Sequence, residues 1–282
     1  MFLKLGPRRR DFPAAALIPN LLTTLALCCG LASLHYSLQL QWDKAMAAIV
    51  LSGVFDALDG RAARLLRVTS KFGAVLDSLS DFLSFGVAPA LLLQQWMYDQ
   101  DKLNGRFRAV ALTAFMTYAL AAALRLARFT ADTPKPARGD GARTEPEPEL
   151  VKPVVEKPAQ YFTGMATPAA AGCALAPVML ARSDTIAYTM PAWGVAAWTF
   201  VVGLLMISRV PMFSLKSVRL TRRAVAPVLL TVGILVVGLL RDPWLTIAGI
   251  SAAYLLTVPF TVLATFRRGR TDAAAGEPRS LT

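Results

Sequence analysis

About eight long apolar segments dominate this chain and constrain its fold more than any other feature. Hydrophobic residues make up 55% of the 282 residues, and each segment holds about 20 mostly apolar residues, the length that a helix needs to cross a bilayer. Lipid cannot satisfy unpaired backbone groups, so spanning segments of this length predict helices. The sequence therefore predicts an all-α, polytopic integral membrane helix bundle. The predicted spans are 14–38, 44–66, 73–97, 107–129, 161–181, 188–208, 224–240 and 243–263.

The distribution of Lys and Arg predicts the orientation of these spans. Most of the 30 basic residues fall in the two terminal segments and in every second connection, which places both termini in the cytoplasm by the positive-inside rule. The same rule explains the net charge of +12 without a nucleic acid. Anionic membrane lipids are the expected partner of these short basic loops.

The chain divides into five predicted regions. A proline-rich stretch with charges of both signs separates two sets of four helices, and its composition predicts a solvated loop. The regions are a basic cytoplasmic arm (1–13), transmembrane helices 1–4 (14–129), the proline-rich cytoplasmic loop (130–160), transmembrane helices 5–8 (161–266) and a disordered cytoplasmic tail (267–282).

Four aspartates interrupt the second and third apolar segments. Asp56 and Asp59 share one face of a helix, and Asp77 and Asp81 share a face of the next. The connection at 67–72 is short and polar, so the helices should be antiparallel neighbours that bring all four carboxylates to one pocket near the cytoplasmic surface. Each charge costs about 2.5–3.5 kcal/mol at the bilayer centre, which requires compensation.

A divalent cation is the expected compensation. Oxygen ligands without His or Cys suit Mg²⁺ or Mn²⁺, and four carboxylates can hold two ions, an arrangement suited to phosphoryl transfer. Gly60 and Gly73 allow a ligand or another backbone to approach closely, and Arg64 can bind a phosphate oxygen. The alternatives are a structural ion-pair cluster or a cation pathway of a transporter.

The aspartates belong to a longer pattern, DxxDGxxAR followed after eight residues by GxxxDxxxD. The chain meets it at Asp56, Asp59, Gly60, Ala63, Arg64, Gly73, Asp77 and Asp81. With this pattern the chain resembles the CDP-alcohol phosphatidyltransferases. Other segments resemble the phosphatidylserine synthase branch of that family: IPNLLT (18–23), SKFGAVLDSLSDFLSFGVAPA (70–90), LRLARF (124–129), YFTGMATPAAA (161–171) and ISRVPMFSLK (207–216).

The resemblance implies an enzyme that joins CDP-diacylglycerol to L-serine and releases CMP. It also implies a homodimer in the cell inner membrane, with the active site facing the cytoplasm and two Mg²⁺ or Mn²⁺ ions in each site. Asp56 and Asp77 would bridge the ions, Asp59 would complete the first site, and Asp81 would complete the second and act as general base. The positions matching those that bind CDP-diacylglycerol are Pro19, Asn20, Thr23, Gly60, Ala63, Arg64, Ser70 and Gly73.

Four cations near the cytoplasmic helix ends are candidates for binding the acceptor: Arg125, Arg128, Arg209 and Lys216. Membrane topology explains their positions equally well. Another acceptor, such as glycerol 3-phosphate, inositol phosphate or choline, would keep the metal site and change only the acceptor pocket. A cation transporter and a lipid-binding protein without turnover are the remaining alternatives.

Overall fold

The computed structural model describes residues 17–66, 70–100, 106–132, 161–163, 165–186, 188–208, 211–213 and 225–257. The predicted arm (1–13) and tail (267–282) lie outside these residues, as does the predicted loop from residue 133 to 160. The helices are α1 (Leu17–Leu38), α2 (Trp42–Leu66), α3 (Lys71–Asp81), a π-helical segment (Phe82–Val87), α4 (Ala88–Gln100), α5 (Arg106–Asp132), α6 (Thr167–Ala181), α7 (Ala192–Ile207), α8 (Val225–Arg241) and α9 (Pro243–Thr257).

The predicted helical architecture is confirmed, because each of the eight apolar segments contains a helix. Among the residues that the structure describes, three stretches are both long and apolar enough to cross a membrane: Leu17–Leu38, Phe72–Gln100 and Arg108–Arg128. α2 has sufficient length, but it carries the charged residues discussed below, and the later apolar helices are shorter. The exact number of crossings and the location of the termini stay predictions.

Several helix boundaries differ from the prediction. The span predicted from residue 161 begins with strand β1 (Tyr161–Thr163), which pairs antiparallel with β2 (Pro211–Phe213), and the helix starts only at Thr167. Pro168 occupies the first turn of α6, where a missing backbone N–H costs nothing. α5 continues to Asp132, so the first residues of the predicted loop are helical.

The first of two compact units comprises residues 1–120 and 191–197. In it α1 packs along α2 and along the helix that follows. The carbonyl of Ala26 on α1 accepts hydrogen bonds from Ser52 Oγ at 2.9 Å and from Ser84 Oγ at 3.3 Å. Small residues permit this approach: a Cβ on Gly30 would stand 3.1 Å from the Ser84 Cα. Close packing of small and hydroxyl side chains is typical of helices in membranes.

The π-helical segment follows directly after Asp81 and leads into α4 without a break. Within it the buried Phe85 carbonyl accepts a hydrogen bond from the Tyr118 hydroxyl at 3.1 Å, and Tyr118 is itself fully buried on α5. A π turn widens the helix and often lies at a functional site. Here the π turn changes the rotation about the helix axis between the side chains before Asp81 and those after it.

The second unit comprises residues 121–190 and 198–282. A buried polar contact lies at the turn before α9, where Asp242 caps the helix by accepting a hydrogen bond from the Leu245 N–H at 3.0 Å. The other carboxylate oxygen accepts from Ser183 Oγ at 2.6 Å and from the Thr185 N–H at 3.2 Å. The Ser183 hydrogen bond, supported by these N–H groups, lowers the pKa of Asp242 to about 2.

Candidate active site

Three aspartates, two on α2 and one on α3, converge in the first unit. Carboxylate oxygens of Asp56, Asp59 and Asp77 all lie within 4.8 Å of one another. Asp59 is buried, and the other two are half-buried. The half-buried Asp81 follows Asp77 by one turn of α3, and its carboxyl group lies near that of Asp56. The structure therefore brings together all four aspartates that the helical spacing places on facing sides of two helices.

This donor set fits a hard divalent cation. Carboxylate groups at such separations repel one another, so the pocket needs bound protons or cations to hold them together. The cluster consists of oxygen ligands alone, which Mg²⁺ and Mn²⁺ prefer. The buried Asp59 is also held from the opposite side, because the hydroxyl of Thr23 on α1 donates to Asp59 Oδ2 at 2.6 Å.

A cavity of about 210 Å³ opens beside the carboxylates. Its lining residues come from α1, α2 and the start of α3: Pro19, Asn20, Thr23, Asp59, Gly60, Ala63, Ser70, Gly73, Ala74 and Asp77. Most positions predicted to bind the nucleotide-lipid are thus neighbours in space. Arg64 lies one turn beyond Gly60 and is exposed. Ala74 escaped prediction, although its place directly after Gly73 in the first turn of α3 was a usable signal.

Local sequence explains the shape of this cavity at the start of α3. Ser70 is the N-cap of the helix, and its side chain accepts a hydrogen bond from the Gly73 N–H at 2.9 Å. A Cβ on Gly73 would stand 2.7 Å from Asn20 Oδ1 and 3.0 Å from Ser70 Oγ. Glycine is therefore required at 73 for α1 to approach α3 with Asn20 in its present position.

Gly60 has a different environment. A Cβ built on it would meet no atom of the described residues within 4 Å. The protein's own packing therefore does not require glycine at this position, which faces the cavity. A helix-interior glycine costs roughly 0.5–1 kcal/mol relative to alanine. A ligand that approaches the backbone at Gly60 would account for that cost.

The predicted acceptor-binding cations are described only in part. The Arg125 guanidinium donates to the Thr167 hydroxyl at 2.6 Å, and Arg128 donates to the Ile207 carbonyl at the end of α7 at 3.1 Å. Both arginines belong to the second unit, and the Arg128 contact has a structural purpose, since a cation stabilises a helix C-terminus. Arg209 and Lys216 lie outside the described residues.

Known proteins are similar in sequence over the region of this site and over much of the remaining chain. A family profile described as CDP-alcohol phosphatidyltransferase matches residues 16–144, and one described as CDP-alcohol phosphatidyltransferase 2 matches residues 223–259. A CDP-diacylglycerol–serine O-phosphatidyltransferase of Mycobacterium leprae is 30% identical over 256 residues, which cover 91% of this chain and 78% of that protein.

More distant organisms have relatives with the same description. The protein from Helicobacter pylori strain 26695 is 37% identical over 117 residues, 42% of this chain and 47% of its own length. The one from Methanocaldococcus jannaschii is 49% identical over 81 residues, 29% of this chain and 36% of its own length. The first profile covers every residue of the aspartate cluster and its cavity, and the mycobacterial similarity extends over nearly the whole chain. The protein therefore belongs to the CDP-alcohol phosphatidyltransferase family, a family of transferases.

Proposed function

We propose that this protein is a phosphatidylserine synthase, which transfers the phosphatidyl group of CDP-diacylglycerol to the hydroxyl of L-serine and releases CMP. The observation that carries the proposal is the convergence of Asp56, Asp59 and Asp77 beside a cavity walled by α1, α2 and α3, with Asp81 close by. The choice of serine rests on the relatives, which are described as serine O-phosphatidyltransferases. The site would face the cytoplasm from the inner membrane, where soluble serine and CMP meet a lipid substrate.

The residues around the cavity would have separate roles in the transfer. Asp56, Asp59, Asp77 and Asp81 would hold two Mg²⁺ or Mn²⁺ ions, which neutralise the diphosphate when bound and stabilise its developing charge. Gly60, Ala63, Ser70 and Gly73 would form the wall against which the nucleotide-lipid lies. Pro19, Asn20 and Thr23 would form the facing wall from α1, and Arg64 would reach a phosphate oxygen from the end of α2.

Asp81 would act as general base. It would take the proton of the serine hydroxyl as the serine oxygen forms a bond to the lipid-side phosphorus and the bond from that phosphorus to the CMP oxygen breaks. Its carboxyl group lies near that of Asp56, so the base would be close to the metal-binding groups. The serine carboxylate would require a cation, for which Arg125, Arg128, Arg209 and Lys216 are the candidates. The active form would be a homodimer surrounded by membrane lipids.

The Asp81→Asn variant tests this proposal. Asparagine has nearly the same shape but cannot accept the proton, so CMP release from CDP-diacylglycerol and L-serine should fall by about 10²–10⁴-fold, while CDP-diacylglycerol binding persists. The Asp184→Asn variant, at an exposed loop position, is the matched control and should keep full activity. Near-normal turnover by Asp81→Asn would refute the general-base role.

The acceptor is tested by supplying purified protein with CDP-diacylglycerol, a divalent cation and one alcohol at a time. Phosphatidylserine should form with L-serine and require Mg²⁺ or Mn²⁺. A product formed only with glycerol 3-phosphate, inositol phosphate or choline would refute serine and leave phosphatidyl transfer intact. If none of these alcohols supports CMP release, the proposed phosphatidyl transfer to an alcohol is contradicted.

A further inference from the structure

We propose that Thr23 is a positioning residue, whose hydroxyl fixes Asp59 in the orientation that a bound cation requires. This inference rests on the proposed metal-dependent transfer. It gives Thr23 a task distinct from lining the nucleotide cavity, because the hydroxyl acts through the carboxylate of another helix. Thr23 lies on α1, outside the aspartate pattern of α2 and α3.

The contact between Thr23 and Asp59 is short and shielded from solvent. Thr23 Oγ1 lies 2.6 Å from Asp59 Oδ2, and the two residues are only 4% and 5% exposed. The same hydroxyl lies 3.0 Å from the Pro19 carbonyl, yet it has one proton to donate. A separation of 2.6 Å falls in the range of a charge-assisted O–H···O⁻ bond, so the carboxylate is the stronger acceptor and the proton lies toward Asp59.

This hydrogen bond determines which acceptor positions of the Asp59 carboxylate remain for binding a cation. With Oδ2 held from the α1 side, rotation of the carboxylate is restricted, and its remaining acceptor capacity is left for the cluster with Asp56 and Asp77. Outer partners of this kind orient the ligands of a metal and raise its affinity. Without the hydroxyl, Asp59 would have to be ordered by the cation itself.

The backbone of Thr23 adds a second link to the site. Its carbonyl oxygen is the acceptor for the hydroxyl of Ser80 at 3.4 Å, and Ser80 directly precedes Asp81. One residue of α1 therefore contacts α2 through its side chain and α3 through its main chain. Thr23 is placed to couple the positions of the two helices that carry the aspartates.

Mn²⁺ binding to the full-length protein in detergent tests the proposal, with free Mn²⁺ measured by electron paramagnetic resonance. Thr23→Val keeps the shape and removes the hydroxyl, so the dissociation constant for Mn²⁺ should rise roughly 10–100-fold. Thr23→Ser restores the hydroxyl and should bind Mn²⁺ nearly as the unsubstituted protein does. Turnover by Thr23→Val should need correspondingly more Mn²⁺.

The neighbouring residue supplies a matched control. Thr24 is exposed, and its hydroxyl bonds to the Asn20 carbonyl of its own helix at 2.7 Å. Thr24→Val makes the same chemical change and should leave Mn²⁺ binding unaltered. If Thr23→Val does not fold, as judged by thermal unfolding, Thr23→Ala provides a smaller replacement without the hydroxyl.

Three results would overturn the inference, and they differ from one another. Equal Mn²⁺ affinity in Thr23→Val and the unsubstituted protein would refute the positioning role and leave the metal site intact. Weak binding by Thr23→Ser as well as by Thr23→Val would show that packing, and not the hydroxyl, is responsible. An unsubstituted protein that binds no Mn²⁺ and has the same activity without divalent cations would refute the proposed metal chemistry itself.

Discussion

Replacement of Gly60 by alanine should separate the stability of the fold from access to the cavity. Because the added Cβ would meet no described atom within 4 Å, the folded protein can accept it without a clash. Alanine is favoured over glycine in a helix interior by roughly 0.5–1 kcal/mol. The apo form of Gly60→Ala should therefore unfold at a slightly higher temperature, by about 2 °C for a chain of this size.

The same methyl group should impair the reaction. It would occupy space beside Asp59, on the side of α2 that faces the cavity. Extra volume in a closely packed contact costs about 1–3 kcal/mol, and every 1.4 kcal/mol corresponds to a tenfold change. We therefore expect kcat/KM for CDP-diacylglycerol to fall roughly tenfold to a hundredfold, while the protein becomes no less stable.

Gly53→Ala is the matched control on the same helix. Its Cβ would stand 3.6 Å from Phe85 Cε1, which is ordinary van der Waals contact, and it should give a similar gain in helix propensity. Thermal unfolding and CMP release would be measured for both variants. Unchanged kcat/KM in Gly60→Ala would refute a close approach of the ligand at this backbone, and an equal loss in both variants would assign the effect to the helix and not to the cavity.

Two further predictions concern particular contacts. Gly73→Ala should displace the Asn20 side chain, since the added Cβ would stand 2.7 Å from Asn20 Oδ1. KM for CDP-diacylglycerol should therefore rise. In an Asn20→Ala background the clashing atom is absent, so Gly73→Ala should change KM much less. Asp242→Ala should lower the free energy of unfolding by about 1–2 kcal/mol through loss of the α9 cap, measured by unfolding in detergent. The pKa of Asp242 is lowered to about 2, so the contribution of this carboxylate to stability is complete above pH 4 and is lost as pH falls through about 2. Asp242→Asn keeps a capping side chain and should reduce the dependence of stability on acid pH. An unchanged acid unfolding profile in Asp242→Asn would contradict this prediction.

Sequence reasoning predicted those features that depend on local periodicity. Apolar length located the helices, and the spacing of Asp56 from Asp59 and of Asp77 from Asp81 placed each pair on one helix face. The short connection predicted α2 and α3 as packed neighbours; in the structure both pack mainly against α1, and their aspartate side chains meet in the space between them. These predictions require only the regular geometry of a helix and a limit on loop length.

Features that depend on distant partners were not predictable in this way. Strands β1 and β2 pair segments separated by α6 and α7, and nothing within the local sequence of either one identifies the other. The π-helical segment after Asp81 continues an apolar helix without a proline or any change of composition. Its hydrogen bond from Tyr118 to the Phe85 carbonyl depends on how α5 packs, which periodicity does not specify.

α1 provides hydrogen-bond acceptors that hold the helices of the aspartate pattern in position. Its carbonyls at Thr23 and Ala26 accept hydroxyl hydrogen bonds from Ser52 on α2, Ser80 on α3 and Ser84 on the π-helical segment. Each such bond in a membrane contributes only about 0.6 kcal/mol, yet all of them require the same register of α1. A slide by one turn, about 5.4 Å, would break them together and would also withdraw the Thr23 hydroxyl from Asp59. The spacing of the carboxylates therefore depends on a third helix, and the aspartate pattern alone is insufficient to form the site.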